Sequence, residues 1–355
     1  MKKSILTFFL PITILVGLTG CSQQVKLETG VMNSSTINSC AYDITVSTNT
    51  TGSKNSASDA GALSMLSSGK VSLNFNGKML KAKDRSKISS NVKVSAAGVS
   101  FEAPIYIDSS SSKFDFDLVV GVPEILKSML GDQLANITNL HLASKDLDSY
   151  IKTNSSAEDY KKFQDSMTNV MDGKSSKNTQ VSKDMLATFN SYLDKNKKKV
   201  ETFAKLGDES TSKNGVYTIK FTKEDIKAII SNYLGNEEYF NNYKAAITEA
   251  EKVSLAGSGG KVKATNLDDA KTIISKCNKA IDATKAIDIV SIFTIEDKLI
   301  TKTNIKLNVV NEEENMAIEI NSKLSDINKV TSIAAPDTNA QNTLDIMKFI
   351  NLQAK

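Results

Sequence analysis

Between Val71 and Val120 apolar residues recur at every second position, and this constrains the fold more than any other feature of the chain. Val71, Leu73 and Phe75 share one face of a segment that reaches the turn signal Asn76-Gly77. Val92 and Val94 follow. Val99, Phe101, Ala103, Ile105 and Ile107 alternate after Ala97-Gly98, and Phe114, Phe116, Leu118 and Val120 alternate after the serine run 109–112. Side chains of a strand point to opposite faces in turn, so this spacing predicts antiparallel strands with one face buried and one wet. Tyr42, Ile44 and Val46 predict an earlier strand, and the segment 48–68, rich in Ser, Thr, Asn and Gly, reads as a loop. The period returns near the end of the chain. Ile287 to Ile295, Thr301 to Val309, and Met316, Ile318 and Ile320 predict a three-strand meander.

Between the two blocks the period becomes helical. Pro123 suits a first helical turn ahead of Ile125, Leu126, Met129 and Leu130. Ser156 with Asp159, and Thr222 with Asp225, have the spacing of capping boxes. Further helical faces run through Met185, Phe189, Tyr192 and Leu193, through Ile226, Ile230, Tyr233 and Leu234, across 237–253, and through Ile273, Ile274, Cys277 and Ile281. Tyr217, Ile219 and Phe221 predict a short strand among them. Strands, then helices, then strands argue an α+β fold. The expected form is a large curved antiparallel sheet, a half-barrel, with the helices packed on its concave face. The expected division is a single α+β domain over 39–340, with strands at 41–120, a helical insert at 123–284 and strands at 287–324, followed by a C-terminal tail over 341–355. The rival division is two domains with a boundary near 206–215.

The N-terminus carries a different signal. Met1-Lys2-Lys3 precedes an apolar run from Ile5 to Leu18, which Pro11 and Gly17 interrupt. A basic start, a short apolar core and small residues before a cut site predict a signal peptide over 1–20. Leu18-Thr19-Gly20-Cys21 resembles the lipobox of bacterial lipoproteins. The resemblance implies that the Cys21 thiol takes a diacylglycerol (the palmitate-type anchor), that cleavage precedes it, and that Cys21 begins the mature chain, with a tether over 21–38. The implied location is the outer face of the cell membrane. Lysine dominates the bases, Arg85 is the one arginine, and Asn, Ile and Ser are abundant, which suggests an AT-rich genome and a Gram-positive source.

The lipobox, tether, antiparallel meander and helices together resemble the LolA/LppX-like lipoproteins, by topology. The ending Ser325-Asp326-Ile327-Asn328, with Ile333 and Pro336, is similar to the close of clostridial-type lipoproteins of this shape. Some members of the group carry lipids or lipoproteins in an apolar cavity between sheet and helices. The resemblance therefore implies a lipid or other apolar ligand as partner.

Composition and motifs exclude more than they assign. The formal charge of +4 falls to about +2 once Lys2 and Lys3 are removed, which gives no case for nucleic acid. His141 is the only histidine, so a multi-histidine metal site is excluded, and its place between Leu140 and Leu142 predicts that it faces away from them. Gly257-Ser258-Gly259-Gly260-Lys261 is not a phosphate loop, because Leu255 stands where the first glycine belongs and Val262 where Ser or Thr belongs. Asp115 and Asp117, the Glu312-Glu313-Glu314 turn and the lysines at 195–199 read as solvated charges. Cys40 and Cys277 remain in the mature chain. Outside the membrane two thiols can pair, and their positions leave a disulfide and two free thiols both open. No catalytic residue, cofactor or metal ligand is expected. The reading is a non-enzymatic, membrane-anchored lipoprotein that binds a lipid or apolar ligand. The alternatives are a structural or interaction lipoprotein without a cavity, whose protein partner the sequence does not name, and then a solute-binding subunit of an ABC importer.

Overall fold

A computed structural model describes residues 36–51, 69–96, 98–110, 113–125, 127, 136–161, 163–164, 176–196, 200–205, 215–258, 268–312, 315–338 and 341–347. The chain is α+β, with one open, mostly antiparallel sheet. The strands are β1 (Ser39–Thr51), β2 (Gly69–Lys81), β3 (Arg85–Ala96), β4 (Val99–Ser110), β5 (Phe116–Gly121), β6 (Asn139–Ala143), β7 (Val200–Lys205), β8 (Gly215–Thr222), β9 (Ala286–Glu296), β10 (Leu299–Val310), β11 (Asn315–Ser325) and β12 (Thr343–Asp345). The labelled helices are α1 (Ser144–Asn154), α2 (Ser176–Lys195), α3 (Lys223–Gly235), α4 (Glu237–Ser258) and α5 (Ala270–Asp282). Hydrogen bonding links the strands in the order β12-β6-β5-β4-β3-β2-β1-β11-β10-β9-β8-β7.

Among the described residues, the chain divides into two compact units. One gathers Thr45–Val71 and Ser176–Lys323, and the other Ile37–Ile44, Ser72–Ser175 and Leu324–Lys355. Neither the single domain over 39–340 nor a cut near 206–215 describes this division, because it runs through β1, β2 and β11. Adjacent stretches of one strand belong to different units. The predicted strands and the helices α2 to α5 are present. The signal peptide, Cys21, most of the 48–68 segment, Gly259 to Lys261 and the end of the tail lie outside the described residues.

In the first unit the meander β9–β10–β11 is extended by β8. Registers Leu307 against Ile318, Leu307 against Ile289 and Phe221 against Ile289 put one apolar residue per strand in line across four strands. Helices α2 and α3 lie directly on that face. Phe221, Ile219, Ile289, Phe293 and Leu307 are buried together with Leu193, Ile226 and Leu234 from the helices. The rings of Phe189 and Phe221 sit 5.2 Å apart. Each such side chain contributes about 1.5–3 kcal/mol by leaving water.

Asp225 ties this layer together. The Thr222 amide and hydroxyl both donate to Asp225 Oδ2, at 2.7 and 2.9 Å, closing the predicted cap of α3. The buried Tyr192 hydroxyl on α2 donates to Asp225 Oδ1 at 2.5 Å. Burial first, then this bond and the carboxylate charge, hold the Tyr192 hydroxyl well above its ordinary titration range. Ser291, fully buried between Ile219 and Ile305, has no hydrogen-bond partner for its Oγ. Two substitutions in this unit therefore have opposite signs. Asp225→Ala strips three donors of their acceptor and is expected to cost about 2–4 kcal/mol. Ser291→Ala removes an unpaired buried hydroxyl and is expected to gain about 1 kcal/mol. Urea midpoints of the two variants check both signs.

Candidate functional site

The site is built by the second unit, from the strands β3, β4, β5, β6 and β12. Register puts Ile88, Ile107, Leu118 and Leu142 in one row across four strands. The neighbouring row is Ser90, Ile105, Val120, Leu140 and Leu344. Val92 faces Ala103, and Val94 faces Phe101, toward the end of the β3–β4 hairpin. No charged side chain falls on this face of the five strands. The apolar residues on it are only half-buried; Ser90 alone in these two rows is buried.

Local chemistry holds the floor together. Gly77 lies so close to β3 that a Cβ there would meet the Ser89 carbonyl oxygen at 2.2 Å. Only a residue without a side chain fits that approach. At one end of the face Phe114 packs edge-on against Phe116 at 5.4 Å and against Phe163 at 5.5 Å. Phe163 comes from a helical stretch whose predicted cap is formed, with the Asp159 amide donating to Ser156 Oγ at 3.1 Å.

The other face of the same strands is the reverse of what alternation predicts. Its sequence is polar, yet it holds Tyr106 and Val119, at 4% and 3% exposure, under Ile333. The cover is the segment that follows β11. Asn328, in the left-handed region at φ 57°, donates its amide to the Ser39 carbonyl and accepts from the Asn38 amide through Oδ1, at 2.7 and 2.8 Å. Val330 and Ile333 then pack against Tyr106 and Val119. The Asn342 carbonyl accepts from the Thr138 and Asn139 amides, and Thr343–Asp345 pairs with β6 as the parallel strand β12. The segment is a strap across the polar face, bonded at both ends.

Two of the carboxylates read as solvated, Asp115 and Asp117, have basic partners on this strapped side. Arg85 Nε donates to Asp108 at 2.7 Å and its Nη1 to Asp115 at 2.6 Å. His141 faces away from Leu140 and Leu142, as predicted, with Nε2 at 3.4 Å from Asp117. Burial, followed by the Asp108 and Asp117 charges, pushes the Tyr106 hydroxyl above its usual range. Among the described residues no group of three or more His, Cys, Asp or Glu is placed to hold a metal ion. Cys40 is buried on β1 in the second unit and Cys277 partly buried on α5 in the first, each a free cysteine.

A shallow hollow of about 180 Å³ lies between α1 and β12, lined by Asp146, Ser149, Tyr150, Thr153, Asn154, Asp345 and Met347. It is of mixed polarity and smaller than the roughly 300 Å³ at which ligand pockets begin. No helix among the described residues is long and apolar enough to cross a membrane. No protein-family model matches the chain, and no curated protein or solved structure matches it.

Sequence periodicity reaches the apolar face but not its exposure. The strap carries only Val330 and Ile333 as apolar signals, three residues apart in an otherwise polar tail. If the strap is what buries the second face, Ile333→Ala costs about 2–4 kcal/mol, far more than a surface substitution. Chemical denaturation of the variant, with Tyr fluorescence as a second probe, checks this.

Proposed function

We propose that the chain is a non-enzymatic lipoprotein, anchored to the outer face of the cell membrane through Cys21, whose second unit binds a lipid or other apolar ligand on its uncharged face. The lipobox supports the anchor. The observation that carries the ligand reading is a multi-strand face without a charge whose aliphatic side chains are only partly buried. Covering such surface gains about 25 cal/mol for each Å². An acyl chain asks for nothing but apolar contact, and this face offers nothing else.

A second reading is a structural or interaction lipoprotein with no ligand cavity. The packed layer of the first unit favours it, because helices α2 and α3 sit directly on the sheet where a ligand between sheet and helices would lie. The consecutive antiparallel strands give no support to a solute-binding subunit of an ABC importer, a class usually built from βα repeats.

Two measurements test the proposal. Growth on an alkyne-bearing fatty acid is expected to label the wild-type chain, and Cys21→Ser to lose the label and release the chain to the medium; a wild-type chain without label removes the anchor. Native mass spectrometry of the purified chain is expected to find bound lipid. Leu118→Lys, which sets a charge on the face, is expected to lower occupancy at least about tenfold with the urea midpoint followed in parallel. A wild-type chain that carries no lipid, and takes none from vesicles, refutes the ligand reading.

A further inference from the structure

The hairpins of this chain do not end alike. The β2–β3 connection contains Lys83 and Asp84, the β9–β10 turn is Asp297-Lys298, and the β10–β11 turn contains three glutamates. The β3–β4 connection is Ala97-Gly98, and the whole stretch 94–101 is without a charge. Gly98 takes φ 81°, which lets the chain reverse in two residues. Ala96 pairs with Val99 and Val94 with Phe101, so all four lie on the uncharged face described above. The first charges below the tip are Lys93 and Glu102, on the other side of the strands, and they pair with each other at 3.2 Å.

The tip is also where apolar surface meets water. Val99 at 51% and Ile125 at 41% are the two exposed large hydrophobic residues among those described. Strand β5 runs back toward this end of the sheet and stops opposite Pro104, and Ile125 follows four residues after Gly121. A single exposed Val is ordinary. An uncharged tip that exposes its Val, stays continuous with an apolar face and differs from the charged hairpins elsewhere in the chain is not.

We propose that the tip of the β3–β4 hairpin, Val99 foremost, dips into the interfacial layer of the bilayer. Two residues of strand separate Val99 from Phe101, about 7 Å, and this matches the roughly 5–10 Å depth of apolar groups held at that interface. Seated in this way, the apolar face of the second unit opens at the lipid surface. The inference rests on the anchored reading only for the presence of a bilayer.

The chain contains no Trp, so one introduced residue is a clean reporter. The full lipidated chain would be reconstituted in vesicles of phosphatidylcholine and phosphatidylglycerol, carrying either Val99→Trp or, on a charged hairpin, Lys298→Trp. Emission from Val99→Trp is expected to shift to shorter wavelength and to be quenched by lipids brominated near the headgroup, while Lys298→Trp does neither. In addition Val99→Asp, in the Cys21→Ser background, is expected to lower partition onto the same vesicles by about tenfold. Equal emission with and without vesicles, or equal quenching of both reporters, overturns the proposal. Vesicle flotation reports the anchor and mass spectrometry the bound lipid, so failure of either is seen separately from failure at the tip.

Discussion

Strand register is the constraint on which the second unit depends. Side chains alternate with a period of two, so a slip of one residue between β3 and β4 would send every Ile, Val and Phe of one strand to the opposite face. Contacts on both sides of β3 act against slips of this kind. Gly77 admits β3 at a distance no side chain allows. Arg85 reaches Asp108 on β4 and Asp115 in the following turn with two arms of one guanidinium, a fork that a lysine cannot reproduce. Exposure makes these ion pairs modest in energy, but their geometry is specific. The chain has 43 other basic residues that could have been arginine, Lys in every case, and its one Arg stands here.

A sheet has two faces, and the two units cover theirs by different means. In the first unit, helices α2 and α3 close directly on the apolar side, and Asp225 joins strand end, helix start and the neighbouring helix in one carboxylate. That layer is finished. In the second unit the cover runs over the polar side as the strap from Asn328 to Asn342. The consequence is an inversion. The face whose sequence reads as wet contains the buried Tyr106 and Val119, and the face whose sequence reads as core keeps its side chains only partly buried. An inversion of this kind leaves apolar surface partly exposed, and the proposed ligand reading rests on it.

Much of this was legible in the residues. The strands β2 to β5 and β8 to β11, and the cap at Thr222 and Asp225, follow from spacing alone, because period two and the Asp three residues after Thr are local properties. His141 was placed correctly by its leucine neighbours. What escaped reading was non-local. β12 is three residues long, and its partner β6 stands about two hundred residues earlier, so no local period announces it. The strap has only Val330 and Ile333 to show, and the αL turn at Asn328 that aims it over the sheet is a backbone choice that Asn permits without requiring. The interleaved units could not be read at all, since the division passes through the interior of three strands. Alternation reports that a residue has a face, and it is silent on what will lie against that face.

The same distinction governs function. The proposed anchor is a linear motif, and four residues would carry it wherever the rest of the chain folds. The proposed ligand face is a product of register, of which side the strap takes, and of the absence of charge across strands that lie far apart in sequence. Each strand taken singly looks like a core strand. Only the placement of the strap on the opposite side makes their shared surface available, and only the comparison of hairpin tips shows that this surface continues, uncharged, to an exposed end. Chemistry of this kind contains no nucleophile, no metal ligand and no phosphate loop for a motif search to find. Its signature is a region where charge should be and is not, in a chain where Lys, Arg, Asp and Glu make up 24% of the residues. In the five strands of the second unit that charge has gone to the strapped side, where Arg85 pairs with Asp108 and His141 with Asp117, and the opposite face is left to apolar contact alone.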